Sequence, residues 1–172
     1  MPLAATVNAL FAACDEGDAR SVERILRRDG SLANCADSDG CSPLYWASFK
    51  GRDSVVRLLL KNGATIDSAM ILGDTPLHVA CHNGHESVVR LLLTKGAKVN
   101  IADNKEFTPL WLASQEGQEA TARLLLGNGA SINQASNNGT TPLFVACQEG
   151  HESTALLLIG KGGTVDLAMN DG

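Results

Sequence analysis

Apolar positions along this chain fall at helical spacing, and the arrangement repeats every 33 residues, with prolines at 43, 76, 109 and 142. After each proline comes Leu44, Leu77, Leu110 or Leu143, and three residues later Ala47, Ala80, Ala113 or Ala146. That spacing predicts a helix of about two turns, with one apolar face. The residue before each proline is Ser42, Thr75, Thr108 or Thr141. A hydroxyl there can accept from the free N–H groups of the first turn, and proline at the first helical position loses nothing by lacking its own. Gly51, Gly84, Gly117 and Gly150 predict the helix end. A second helix follows at once, marked by Val55, Leu58, Leu59 and by Val88, Leu91, Leu92, and closed by Gly63, Gly96, Gly129 and Gly162. A short extended piece is predicted over 64–67, 97–100 and 130–133, and then a hairpin-like polar loop.

A fixed period of this size predicts units stacked in one dimension. The predicted boundaries are 35–67, 68–100, 101–133 and 134–167, with a degenerate unit over 1–34 and the start of a truncated further one at 168–172. In the first unit Leu10, Phe11, Ala13, Cys14 and Gly17 align with Leu44, Tyr45, Ala47, Ser48 and Gly51, and Gly30 with Gly63. Its second helix carries Arg20, Glu23, Arg24, Arg27 and Arg28, the polar face expected of a terminal cap.

Thr75-Pro76-Leu77-His78-x-Ala80, then Gly84-His85, then Val88-Val89-x-Leu91-Leu92-Leu93-x-x-Gly96-Ala97, resembles the ankyrin repeat. The resemblance runs over about 5–172. It implies an all-α repeat solenoid of helix-turn-helix units, with β-hairpin finger loops and a curved stack around a concave groove. It also implies a non-catalytic scaffold or adaptor that binds another protein in that groove. The alternative is the target-recruiting portion of a larger enzyme, such as a ubiquitin ligase or kinase. Three departures stand out. Glu106 replaces the finger glycine found at 40, 73 and 139, which predicts a different turn in the third finger. Gly162-Gly163 replaces Gly-Ala and should loosen the last helix end. Asp171-Gly172 aligns with Asn138-Gly139, so a fragment of a longer array is expected, with Leu157, Leu158 and Ile159 on an unprotected face that frays or self-associates weakly.

Composition sharpens this picture. Hydrophobic content is 44% but aromatic content only 4%, which suits thin aliphatic layers. The net charge is −5. The deficit lies in residues 101–172, with 3 Lys/Arg against 8 Asp/Glu, so a neutral or basic partner surface is expected at that end. The basic footprint of a nucleic-acid binder is absent. Five cysteines without paired spacing predict reduced thiols and an intracellular setting, cytoplasmic first and nuclear as the alternative. No apolar run reaches the ~18 residues of a membrane span. Met1–Cys14 is apolar, but no Lys or Arg precedes Arg20, so it reads as part of the first unit rather than as a secretion signal.

Candidate chemistry changes little. His78, Cys81, His82 and His85 share a helix side and are permissible zinc ligands, yet each also occupies a repeated column. Cys14, Ser48, Cys81, Ser114 and Cys147 form a small-residue column, expected buried, whereas Cys35 and Cys41 are expected exposed. Glu116, Glu119, Glu149 and Glu152 read as a solvated face. No glycine-rich phosphate loop is present. Catalytic residues, cofactors and metals are therefore not expected. The Leu92–Asn100 and Leu125–Asn133 spacings resemble asparaginyl hydroxylase sites, while the family resemblance implies that this Asn bridges adjacent fingers.

Where framework columns are constant, binding is expected at columns that vary and face outward. In the fingers these are Ser38, Asp39, Cys41, then Ile71, Leu72, Asp74, then Asn104, Lys105, Phe107, then Asn137, Asn138, Thr140. At the first-helix ends they are Phe49, Lys50, His82, Asn83, Gln115, Glu116, Gln148 and Glu149. Trp46 joins them, and Trp46, Phe49, Ile71, Leu72 and Phe107 are expected to form a discontinuous apolar strip carrying most of the binding energy. Tyr45, His78, Trp111 and Phe144 fill a further column, read first as core and second as an aromatic ladder.

Overall fold

A computed structural model describes residues 3–164. The predicted start of a further unit at 168–172, and the last residues of the 134–167 unit, lie outside them. The described residues form ten α-helices and no strand. The first helices of successive units are α1 (Leu3–Glu16), α3 (Pro43–Phe49), α5 (Pro76–His82), α7 (Pro109–Gln115) and α9 (Pro142–Gln148). Their partners are α2 (Ala19–Arg28), α4 (Asp53–Lys61), α6 (Glu86–Thr94), α8 (Glu119–Gly127) and α10 (Glu152–Gly160).

Local chemistry sets the helix limits. Ser42, Thr108 and Thr141 hydroxyls accept from the N–H groups of Tyr45, Trp111 and Phe144 at 3.1, 3.1 and 3.2 Å. Each first helix from α3 onward closes with the N–H after its glycine on a carbonyl inside the helix, as Arg52 does on Ala47 at 2.8 Å. Gly84 shows why glycine is required there. Its φ is +67°, and a Cβ would lie 2.6 Å from the Gln118 amide of the next unit. The first unit differs from its predicted alignment. Gly30 does not play the part of Gly63, but starts a 3-10 turn (Gly30–Asn34) in which the Asp29 carboxylate accepts from Ser31 N–H at 3.0 Å.

First helices pack on one another along the stack more extensively than second helices do. One core runs from Leu10 to Leu158. Leu44, Leu77, Leu110 and Leu143 meet Leu59, Leu92, Leu125 and Leu158 there, all buried, with the four column alanines letting the helices approach. Val55 and Val88 give way in later units to Thr121 and Thr154, also buried, and Thr154 Oγ1 and Ser48 Oγ find no hydrogen-bond partner among the described residues.

Polar columns stitch unit to unit. Asn34 Nδ2 donates to Gly63 O at 2.9 Å while its Oδ1 accepts from Thr65 N–H at 2.7 Å. Asn100 does the same with Gly129 and Ser131, at 3.0 and 2.8 Å. Asn133 does so with Gly162 and Thr164, at 3.4 and 2.9 Å. The column thus bridges the ends of second helices and not the fingers. In the second unit it is Asp67, which accepts from Lys98 N–H at 3.2 Å and has no donor to offer Gly96. After three of the helix-ending glycines the next residue reaches back one unit. Arg52 Nε donates to Asp15 O at 2.9 Å, His85 Nε2 to Phe49 O at 3.0 Å, and His151 Nε2 to Gln115 O at 2.8 Å.

Several expectations need correction. The pieces after the second helices are turns, not extended segments, as Ser68 N–H on Thr65 O at 3.2 Å illustrates. On α10 the exposed apolar residues are Leu156 and Ile159, while Leu158 points into the core. Cys147 is exposed although Cys14, Ser48, Cys81 and Ser114 in its column are buried, because no described helix packs beyond α9.

Candidate partner-binding face

The fingers are tight turns closed by a single pair, not β-hairpins. The N–H of Asp37, Met70, Asp103 and Ser136 donates to the carbonyl of Cys41, Asp74, Phe107 and Thr140, at 3.0 to 3.1 Å. Inside each, a second bond closes the turn, from Gly40, Gly73, Glu106 or Gly139 back to the first residue. Glu106 makes this bond at 3.0 Å with φ +61°, so the third finger keeps the same turn despite lacking glycine. The left-handed conformation costs a side-chain-bearing residue about 1–2 kcal/mol. Asp103 offsets part of it, because its carboxylate accepts from Lys105 and Phe107 N–H, both at 2.8 Å. Asp37 pins the first finger in the same way.

Neighbouring fingers are joined at their tips. Ile71 N–H donates to Asp39 O and Asn104 N–H to Leu72 O, both at 3.0 Å, and Asn137 N–H to Lys105 O at 3.1 Å. Asn104 and Asn137 add side-chain bonds to Ile71 O and Asn104 O. Asn138 is tied into its own finger by Ser136 and Thr140. These three asparagines, taken from the sequence as binding positions, therefore already serve the scaffold. So do Cys41 and Thr140, which are buried at 4% and 6% exposure. Burial also pushes the Cys41 thiol up to about 11, with Asp37 and Asp39 adding to it. Its expected exposure is wrong, and Cys35 is only half exposed.

First helices meet the fingers through ring nitrogens. Thr75 N–H donates to His78 Nδ1 at 3.1 Å, which fixes the proton on Nε2, and Nε2–H donates to Phe107 O at 3.1 Å. Burial holds this imidazole below its ordinary pKa, with Asp74 and other neighbours opposing. Trp111 Nε1 reaches Thr140 O of the next finger at 3.2 Å. The column of Tyr45, His78, Trp111 and Phe144 thus gives two bridges between units and not a ladder of stacked rings, and Tyr45 and Phe144 are only half buried.

The residues of the expected discontinuous strip have different surroundings. Trp46 donates from Nε1 to Asp37 at 2.8 Å and meets Phe49 edge-on, with ring centroids 5.8 Å apart. Burial alone would raise the Asp37 carboxyl, but the bonds from Trp46, Cys41 and Asp39 outweigh it and hold it low. Phe107 stacks on buried Trp111, centroids 3.8 Å apart, in a cluster with Leu112 and Val145. Ile71 and Leu72 stand free on the second finger at 66% and 59% exposure. Leu112 and Val145 are contributors the sequence reading missed. The signal was the apolar column Trp46, Val79, Leu112, Val145, one residue after the His78 column.

Of the remaining positions, Ser38, Asp39, His82, Asn83, Glu116, Gln148 and Glu149 are exposed, and Asp74 and Gln115 are half buried. Lys50 pairs with Asp15 at 3.0 Å, and His82 Nδ1 lies 3.5 Å from Glu116. His78, Cys81, His82 and His85 do not converge. Cys81 is fully buried, and burial raises its thiol far above the ordinary range. Among the described residues no helix is long and apolar enough to cross a membrane.

A protein-family model described as ankyrin repeats (three copies) matches residues 4–70, 67–136 and 108–171. No curated protein gives a significant match.

Proposed function

The chain belongs to the ankyrin-repeat family, and from that premise we propose that it is a non-catalytic module holding a partner protein against its fingers and first-helix ends. Ankyrin repeats are generally protein–protein interaction modules. The observation carrying this reading is the contrast between columns. Asn34, Asn100 and Asn133 spend their side chains on bridges to the next unit, and His78, His85 and His151 spend theirs on carbonyls of neighbouring units. Ile71 and Leu72 join neighbouring fingers through their backbones only, their side chains stay exposed, and large exposed apolar side chains on a loop call for a partner. Phe107 and Trp46 are poor probes of binding, because truncating either also removes a stack or a hydrogen bond of the scaffold.

Affinity capture from the source cells tests this, comparing wild type with Ile71→Ser/Leu72→Ser and with Leu156→Ser/Ile159→Ser. A protein whose capture falls about tenfold with the finger pair alone supports the reading. Identical capture by all three proteins overturns it.

A further inference from the structure

Charge on this molecule is divided between its two sides. Of its 14 Lys and Arg residues, only Lys50 and Lys105 stand on fingers or first-helix ends. Both are occupied: Lys50 pairs with Asp15 at 3.0 Å, and the Lys105 ammonium lies 6.0 Å from the Phe107 ring centroid. Carboxylates crowd the same side. Asp39, Asp74 and Asp103 come from three successive fingers whose backbones touch. Ile71 N–H sits on Asp39 O at 3.0 Å, and a Cβ on Gly73 would lie 2.9 Å from Asp103 Cα. Asp74 is half buried and has neither an ion pair nor a side-chain hydrogen bond among the described residues. Burial raises its carboxyl above the usual range, His78 lowers it, and Asp103 raises it further. Exposed Ile71 and Leu72 form the rim of this acidic stretch.

We propose that this surface takes a partner segment in which an Arg or Lys stands beside a large apolar side chain, the cation among Asp39, Asp74 and Asp103 and the apolar group against Ile71 and Leu72. The proposal rests on the binding reading above and names its partner chemistry. Each half supports the other. An ion pair in open water contributes little. Asp74 has already lost part of its hydration, and apolar contact beside it excludes more water, which strengthens the attraction. An acidic or phosphorylated segment meets like charge on all three fingers and is turned away.

The probe is a displayed library of random peptides of about twelve residues, the length of an extended segment crossing several units. Wild type is compared with Asp39→Asn/Asp74→Asn, which keeps shape and removes charge, and with Ile71→Ser/Leu72→Ser. Melting curves verify that both variants fold. Asp103 is left intact because it pins its finger. Wild type is expected to enrich peptides pairing Arg or Lys with Leu, Ile, Phe or Trp by about tenfold over the input, and less at high salt. The Asn variant loses the basic preference, and the Ser variant loses capture. Enriched peptides without basic bias, or a basic bias undiminished in the Asn variant, overturn the proposal. If such neutral peptides are still lost in the Ser variant, the binding face stands and only its chemistry is wrong. Capture of no peptide by wild type counts against both.

Discussion

Asp67→Asn should make the stack more stable, and Asn100→Asp should weaken it by a similar amount. Three of the four bridges in this column use an amide, which donates to one carbonyl and accepts from one N–H of the next unit. Asp67 keeps only the acceptor bond, at 3.2 Å, longer than the 2.7–2.9 Å of its counterparts. A carboxylate has no N–H to donate to Gly96 O, as the amides of Asn34, Asn100 and Asn133 do to Gly63, Gly129 and Gly162. Restoring that donor adds one hydrogen bond, with a net value of about 0.5–1.5 kcal/mol. In a chain of this length that raises the melting temperature by roughly 1–6 °C. Urea titration is the better assay, because a higher midpoint at unchanged slope reports stability and not a change in the surface exposed. The reverse substitution in the third unit removes the bond to Gly129 O and should lower the midpoint. If Asp67→Asn leaves the midpoint unchanged while Asn100→Asp lowers it, the missing donor at Asp67 is not a weakness and the reasoning fails.

Glu106→Gly relieves the left-handed strain but loosens the unfolded chain, leaving a gain of about 0.5–1 kcal/mol in urea titration; a loss would show that the Glu106 side chain contributes contacts of its own. Acidification should cost stability through His78. Its folded pKa is lowered by burial from the ordinary 6.5, so its contribution is complete above that value and is lost as pH falls through the folded pKa. Asp74 acts oppositely, since its raised carboxyl gains on protonation, from its folded pKa down toward 3.8. His78→Gln should therefore flatten the slope of stability against pH just below neutrality, and an unchanged slope contradicts the assignment. A thiol reagent on the native protein should modify Cys147 first and Cys35 slowly, and leave Cys14, Cys41 and Cys81 untouched until unfolding, as read by peptide mass spectrometry.

The period, the proline-started helices and the buried Leu and Ala columns could be read from the sequence because each depends on neighbours within the same turn or at a fixed offset. What could not be read depends on contacts between units. Cys41 looked like a loop residue, but the turn folds its side chain inward. Glu106 broke the glycine pattern, yet the Asp103 carboxylate and the closing bonds hold the same turn. The asparagine column was recognised as a bridge, but its partners, second-helix ends and not fingers, follow from how far one unit is displaced from the next. For the candidate face, the exposure of Ile71 and Leu72 agrees with the sequence reading. Trp46 and Phe107 are shared with the scaffold because a neighbouring Asp37 and Trp111 claim them, and neither pairing shows in the repeat spacing.

Amide hydrogen exchange with and without the captured partner tests most directly whether binding occurs on the fingers. Slower exchange in residues 38–41, 71–74 and 104–107, with α4, α6 and α8 unchanged, is the predicted result. Protection along α4, α6 and α8 with the fingers unchanged would place the partner on the opposite side and contradict the account.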